Sequence, residues 1–410
     1  MEKNDVLLRV EGLCRYFVGK GGYVNKAVDN VSFTVKKGEV FGLVGESGCG
    51  KTTVGRCVMR IYEPTSGSVY FKGQRICAGT EGYHDAIRSA RKDTAKEIEA
   101  LRDIPHSKER IVELQEQLVE TAAHYRGEIK SARYDHRHCD EKYARQQMEQ
   151  AEREYLLLLE RAKTPEEKSA LAQAYRQKRR AAMNARLTTQ IQMIFQDPFA
   201  SLNPRMTVGE IIAEGLVIGG IRDKAYIREK VFAIMETVGL VREQAGRYPH
   251  EFSGGQQQRI GIARAVIMEP ELIIADEPIS ALDVSIQAQV INLLSDLREQ
   301  LGLTILFIAH DLSVVKYFSH RIGVMYGGKL VELASSRELF AHPLHPYTKS
   351  LLSAIPLPDP YRERQRIRMG YDPVQHDYSA DVPSFREIAS DHMVYCNDAE
   401  AAAYQKELGR

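Results

Sequence analysis

Short apolar runs of strand length recur along this chain, set between glycine-bearing turns and stretches of helical periodicity. Val40-Phe41-Gly42-Leu43-Val44, Leu272-Ile273-Ile274-Ala275 and Leu303 to Ala309 are continuously apolar, the pattern of strands buried on both faces. Ala27 to Val35 and Gly67 to Phe71 cluster β-formers and predict two further strands. Thr53 to Ile61 reads as a helix. So does the stretch carrying Ile260, Ile262, Ala263 and Val266, and Thr207 to Leu240 predicts a helical subdomain. The strand–helix–strand alternation from Glu271 to Met325 predicts a parallel sheet with helical crossovers.

The pattern changes between about Glu81 and Leu187, where the chain becomes charged, alanine-rich and glycine-poor. Apolar or small residues recur at Ile111, Leu114, Leu118, Ala122, Tyr125, Ile129 and Ala132, steps of three and four that keep one helix face apolar. Pro105 breaks the pattern and Ser107 can cap a new start. Thr164-Pro165-Glu166-Glu167 is a strong helix start, with a capping Thr, Pro at the first helical position and Glu at the third. The expectation is a helical hairpin or small coiled coil, packed on itself and solvated, whose ends meet near the sheet. A docking surface for a partner subunit is the other reading. Such an excursion is cheap, because doubling a closed loop costs only about 0.6 kcal/mol.

Candidate chemistry concentrates where the apolar runs end. Gly45-Glu46-Ser47-Gly48-Cys49-Gly50-Lys51-Thr52 fits G-x-x-x-x-G-K-[ST] between an expected strand and helix, the context that a phosphate-binding loop needs. Glycines let the backbone curl around an anion with its N–H groups inward, and the helix N-terminus adds partial positive charge. A nucleoside triphosphate is expected on Gly45, Ser47, Gly48, Cys49, Gly50, Lys51, Thr52 and Thr53, with Lys51 at the β- and γ-phosphates and the Thr52 hydroxyl on Mg²⁺. The Glu271–Ala275 run ends in Asp276-Glu277-Pro278. An aspartate at a strand end beside a phosphate loop can hold Mg²⁺, and Glu277 then stands where it can orient or deprotonate the attacking water. Phe252-Ser253-Gly254-Gly255-Gln256 opens a helix and so offers a second set of free N–H groups.

Ser253-Gly254-Gly255-Gln256 resembles the signature motif of the ATP-binding cassette (ABC) family, and the family's other marks follow in its order. Gln196, in Phe195-Gln196-Asp197-Pro198, matches the Q-loop; Ser280-Ala281-Leu282-Asp283 matches the D-loop; His310 matches the switch histidine. The resemblance implies an α/β fold of the P-loop NTPase type, with a mixed sheet core plus antiparallel β and helical subdomains. It implies Glu277, His310 and Gln196 as catalytic residues, and Thr52, Gln196 and Asp276 around Mg²⁺. It also implies two cassettes packed head to tail, so that Ser253, Gly254, Gly255, Gln256 and Asp283 of one chain meet ATP held by the other. An aromatic near the N-terminus stacks on adenine in this family; Phe17 best matches, with Tyr16 next.

Three stretches narrow the resemblance: Gln196 to Pro204, Tyr248-Pro249-His250-Glu251, and the tail Pro343-Leu344-His345-Pro346-Tyr347-Thr348 with Ile355 to Pro360. They resemble the ATPase subunits of bacterial oligopeptide, dipeptide and nickel importers. This resemblance implies two membrane permeases, a second like or unlike ATPase and an external solute-binding protein, with this chain on the cytoplasmic membrane face. Peptide uptake is the expected function, nickel or another small solute the alternative, and DNA maintenance or translation the more distant one. Lys51 and Gln196 stand 145 positions apart, far more than the fold needs, so the expected division is 1–78 and 190–341 as cassette, 79–189 as insertion and 342–410 as tail.

Composition adds exclusions. With 56 basic and 55 acidic residues the net charge is +1, which gives no electrostatic case for nucleic acid as a partner. The six cysteines are scattered without a C-x-x-C pair, so neither a disulfide framework nor an iron–sulfur centre is expected. His136 and His138 point to different faces of one helix, against a metal site. His342 and His345 sit in a proline-rich stretch that reads as a rigid docking strip. No run approaches the roughly 18 apolar residues of a membrane span, and the charged start lacks a signal-peptide pattern.

Overall fold

The computed structural model describes residues 5–102, 104, 107–280, 282–355, 368–379 and 381–409. Pro105, Ala281 and Pro356 to Pro360, named above for a helix break, the D-loop and the tail, lie outside the described residues.

Two sheets form the frame. An antiparallel sheet runs in the order β2 (Val24–Lys36), β1 (Val6–Val18), β4 (Ser66–Phe71), β5 (Gln74–Ala78). The larger sheet has eight strands, in the order β11 (Ser384–Ala389), β12 (His392–Cys396), β10 (Lys329–Ser335), β9 (Arg321–Tyr326), β3 (Val40–Val44), β8 (Thr304–Ala309), β7 (Leu272–Asp276), β6 (Ile191–Ile194). From β9 to β6 every pairing is parallel; from β9 outward to β11 every pairing is antiparallel.

The continuous apolar runs are the central parallel strands, as burial on two faces requires. Val40, Val44, Ile273, Ala275, Ile305 and Phe307 join one core with the helical subdomain. Their alternate neighbours Phe41, Leu43, Leu272, Ile274, Leu306 and Ile308 join the other, with the antiparallel sheet and the helix that follows the phosphate loop. That helix is α1 (Lys51–Val58). Phe33 of β2 stacks on Phe41 of β3 with ring centroids 5.0 Å apart, which locks the two sheets together.

Between Glu81 and Met183 lie α2 (Glu81–Leu101), α3 (Lys108–Arg161) and α4 (Pro165–Met183). At 1.5 Å per residue, the 54-residue α3 is about 81 Å long. Its two halves pair with different neighbours. Arg110 bonds Glu97 of α2, and Tyr125 lies against Tyr83. Farther on, Glu154 pairs with Lys178 of α4 and Tyr155 stacks on Tyr175. Positions in each pair sum to nearly constant values, so both pairings are antiparallel. The excursion is thus two helix pairs sharing one long helix. Thr164 forms its capping box with Glu167, whereas the Ser107 hydroxyl donates to the Leu101 carbonyl instead of capping α3.

The middle of α3 is fastened to the cassette by polar contacts that periodicity cannot reveal. Arg75 of β5 donates to Asp135 at 2.8 Å and to Ser131 at 2.7 Å, and Lys142 completes the Asp135 pair. Arg60, just past α1, donates to the His136 carbonyl and meets Cys139 Sγ at 3.0 Å. Asp140 accepts from Thr188, and Tyr143 accepts from Gln190 at 2.8 Å. His138 pairs with Glu141 and stacks on Tyr134.

In the tail, β11 and β12 continue the main sheet, and Leu344, His345 and Tyr347 are buried to about 1% exposure. His345, Tyr347 and Thr348 are therefore core and cannot serve as the docking strip expected from the prolines, whereas His342 stays exposed. The reason is local: His345 caps the helix Pro346–Ser353, and its ring stacks against His376. Burial holds the His345 imidazole down at about 3, against about 6.5 in an unfolded chain. Between those values the unfolded chain binds the extra proton, so stability is lost as pH falls below about 6.5. Asn also caps helices but does not titrate in this range. The His345→Asn variant is expected to show a flatter loss of melting temperature from about pH 7 to about pH 5. An equally steep acid slope in the variant would remove His345 from this role.

Candidate functional site

Four neighbouring parallel strands end side by side. Val44 of β3 pairs with Ala309 of β8, Ile308 with Asp276 of β7, and Ala275 with Ile194 of β6. The next residues are Gly45 and the phosphate loop, His310, Glu277, and Phe195-Gln196. A crevice at the carboxyl ends of parallel strands is where α/β sheets place ligands.

The loop needs its glycines. Gly45 and Gly50 have φ of +148° and +106°, and an added Cβ would fall 2.2 Å from the Met325 carbonyl oxygen and 2.1 Å from that of Ala27. Ser47 and Gly48 are exposed at the loop's tip, and Thr53 lies in the first turn of α1. Lys51 is buried, its Nζ donating to Gly45 O at 2.8 Å and Glu46 O at 2.9 Å, with Cys49 Sγ at 3.8 Å. Burial raises the Cys49 thiol, although Lys51 opposes it.

The acidic residues are held individually. The Thr52 hydroxyl donates to Asp276 at 2.7 Å. Burial pushes the Asp276 carboxyl above its ordinary range, against the pull of Thr52 and Arg56, and the neighbouring Glu277 pushes the same way. Two hard oxygen donors side by side, one at the start of α1 and one at the end of β7, the latter a carboxylate short of compensating charge, fit a divalent cation such as Mg²⁺. Glu277 has left-handed backbone, φ +44°, and its N–H is tied to Ile308 O at 2.9 Å. One of its oxygens accepts Gln196 Nε2 at 3.0 Å and lies 3.2 Å from His310 Nδ1. Ser47, Gln196, Asp197, Glu277, Ser280 and His310 line one open cleft. A carboxylate fixed by two side chains at the rim of a phosphate-sized loop can receive a proton from water.

Other expected site residues stand outside that cleft. Ser253 caps the helix Gly254–Val266 through a capping box with Gln256. Gly255 lies against Ile286 and Gly254 against Leu282, so this helix start adjoins the segment of Asp283. Asp283 occupies the cap position of the helix Val284–Leu301 without a capping bond. Phe17 is half-buried, its edge to Tyr62 at 5.6 Å and the Arg15 guanidinium 4.6 Å above its ring. The Tyr16 hydroxyl is spent on Asp29 at 2.5 Å. Two contacts escaped the sequence reading: Tyr62 beside Phe17, and Tyr347 of the tail, whose hydroxyl reaches Glu46 N. The His345-Pro346-Tyr347 stretch stands out in the sequence, but nothing local in it tells that it folds back on the loop.

Among the described residues, no group of three or more His, Cys, Asp or Glu side chains is placed to hold a metal ion, and no helix is long and apolar enough to cross a membrane. All six cysteines are buried and unpaired.

Sheet order, strand-end loop and acidic pair together define a nucleotide-binding cassette of the P-loop class. Comparison with known proteins agrees. The family model described as ABC transporter matches residues 28–184 and 155–280, and that described as oligopeptide/dipeptide transporter, C-terminal region, matches residues 331–379. The chain is 45% identical over 402 residues to the oligopeptide transport ATP-binding protein OppF of Bacillus subtilis, covering 98% of this chain and 99% of that protein. It is 41% identical to AmiF of Streptococcus pneumoniae, an oligopeptide transport ATP-binding protein, over 95% of each. It is 40% identical to the dipeptide transport ATP-binding protein DppF of Lactococcus lactis, over 95% of this chain and 93% of that one. The solved dimeric, ADP- and Pi-bound cassette MJ0796 aligns with 81% of this chain and 99% of its own at 21% identity and a TM-score of 0.49. The chain belongs to the ABC transporter family.

Proposed function

We propose that this chain is an ATP-hydrolysing subunit of a membrane importer for di- and oligopeptides. The observation that carries the reading is the convergence of the phosphate loop, Asp276, Glu277, Gln196 and His310 at four adjacent strand ends, in a chain whose C-terminal region matches the oligopeptide/dipeptide transporter model. In this reading Gly45, Ser47, Gly48, Cys49, Gly50, Lys51, Thr52 and Thr53 hold the phosphates. Thr52, Asp276 and Gln196 hold Mg²⁺, which neutralises charge on the phosphates when bound. Glu277 takes the proton of the attacking water, Gln196 orients it, and His310 steadies the developing charge. Phe17 stacks on adenine.

Two cassettes face each other, so that Ser253, Gly254, Gly255, Gln256 and Asp283 of one complete the nucleotide site of the other. Their place outside the cleft supports this, because a helix start with exposed N–H groups is an anion site without an anion of its own. Residues 1–78 and 190–341 act as the cassette, 79–189 as an insertion and 342–410 as a tail. A groove lined by Met59, Phe195, Gly215, Ile218, Ile221 and Met268 suits an amphipathic helix of a permease. The subunit then works on the cytoplasmic membrane face with two permeases, a second ATPase and, indirectly, an external solute-binding protein, without nucleic acid.

Co-expression with the neighbouring permease and ATPase genes, followed by detergent purification and reconstitution, tests this. The expected result is a stable complex whose ATP turnover rises several-fold when peptide-loaded receptor is added on the opposite face. Co-purification with DNA or ribosomes in place of permeases, or turnover indifferent to every peptide tried, would overturn it.

A further inference from the structure

The tail reaches into the phosphate loop itself. His345 accepts the Tyr347 N–H on its Nδ1 at 3.1 Å and so starts the helix Pro346–Ser353. Tyr347, 1% exposed, packs its ring on Tyr326 at 4.5 Å and Tyr371 at 5.4 Å. Its hydroxyl oxygen accepts the backbone N–H of Glu46 at 3.0 Å, a contact between residues 301 positions apart. The carbonyl of the same Glu46 accepts Lys51 Nζ at 2.9 Å. Glu46 is therefore held from both sides, once by the lysine of the loop and once by the tail.

Tyr347 is itself fixed from behind. The Glu332 carboxylate, fully buried on β10, accepts the N–H groups of Leu344 and His345 at 2.8 and 3.0 Å, and His392 Nε2 of β12 lies 2.7 Å away. Two strands of the sheet thus clamp the turn that presents the tyrosine. Burial raises the phenol's pKa, so the hydroxyl is a neutral group at any working pH.

We propose that Tyr347 is a positioning residue of the nucleotide site: its hydroxyl engages the one loop amide next to Gly45 and thereby keeps the remaining loop N–H groups turned toward the phosphates. This rests on the nucleotide-site reading above. A loop of glycines has many conformations of similar energy, and only one presents its amides to an anion. A bond at Glu46 from a buried, rigid ring narrows that choice before ligand arrives, which raises affinity through preorganisation. Turnover at saturation is then little affected, because bound nucleotide orders the loop anyway.

Tyr347→Phe keeps the ring and removes the acceptor oxygen. In the full-length chain we expect the Kd for ATP with Mg²⁺ to rise about 3- to 10-fold, the effect of one hydrogen bond. In the reconstituted transporter, kcat at saturating ATP should stay within about two-fold while KM rises with Kd. Amide exchange at Glu46 should quicken in the variant, with exchange in the central strands unchanged. Tyr347→Leu, which loses ring and oxygen, should add a fall in melting temperature that Tyr347→Phe lacks. A Kd equal to that of the natural chain would overturn the proposal, as would a fall in kcat with KM unchanged. Should Tyr347→Phe fail to fold, exchange in the natural chain decides: a Glu46 amide as unprotected as those of Ser47 and Gly48 would overturn it, and a protected one supports it. A natural chain that binds no ATP would instead bring down the nucleotide-site reading on which this one stands.

Discussion

Replacing Glu277 by Gln is expected to slow ATP turnover in the assembled transporter by about 10²- to 10⁴-fold, some 3–5.5 kcal/mol of barrier, while nucleotide affinity changes only a few-fold. The side chain is about nine-tenths buried, and one oxygen meets both Gln196 and His310. An amide of the same shape can still accept from Gln196, so the cleft should keep its form. It cannot take a proton from water, and that is the function removed. The left-handed backbone at φ +44° is unaffected by the change, because the two residues differ only at the tip. Asp276 also gains: its carboxyl is raised partly by the Glu277 charge, and removing that repulsion should leave the melting temperature equal or slightly higher. Loss of turnover without loss of stability or binding, measured by single-turnover kinetics and ATP titration, is the signature of a proton acceptor. Normal turnover in the variant would move the base elsewhere in the cleft, and Gln196 and His310 would then need separate tests.

The residues that line the cleft were legible because their chemistry sits where the hydrophobic pattern stops. Val44, Ala275 and Ala309 each end an apolar run, and the phosphate loop, Asp276-Glu277 and His310 that follow them stand at the crevice of a parallel sheet. What periodicity could not give was long-range. The 131–143 stretch of α3 looks like a solvated helix face, yet Asp135, Cys139 and Tyr143 are buried against β5 and the loop ends of the cassette. Polar anchoring of this kind leaves no apolar stripe to read. The tail was misread for a related reason. Prolines around His345 suggested a stiff exposed strip, but one Pro starts a helix and Glu332, thirteen positions before His345, satisfies the turn from within the core. Strand β11, at the sheet's edge, is buried only at Ile388 and Ala389 and shows no alternation, so its pairing with β12 adds two strands to a sheet whose centre was plain from the outset.

Lys51→Met should cost the nucleotide site about a hundredfold or more in affinity and cost the fold almost nothing. Lys51 is 4% exposed, and its ammonium meets only neutral acceptors, the carbonyls of Gly45 and Glu46 and, at 3.8 Å, the Cys49 sulfur. Among the described residues no carboxylate forms an ion pair with it. A buried cation held by two neutral oxygens is destabilising on its own and most useful when an anion arrives. Hydrogen bonds to charged groups contribute about 1.5–3 kcal/mol each, so losing the ammonium at two phosphate oxygens is worth about 3–6 kcal/mol of binding. Met has similar length and fills the same space without a charge to desolvate. The nucleotide-free variant should therefore melt no lower than the natural chain. Added ATP raises the melting temperature of a protein that binds it, by an amount that grows with the logarithm of the ratio of ATP concentration to Kd. The natural chain should show that rise at millimolar ATP and the variant should not. If both rise alike, the phosphates are held without this ammonium, and the backbone N–H groups at the start of α1 must supply the attraction by themselves.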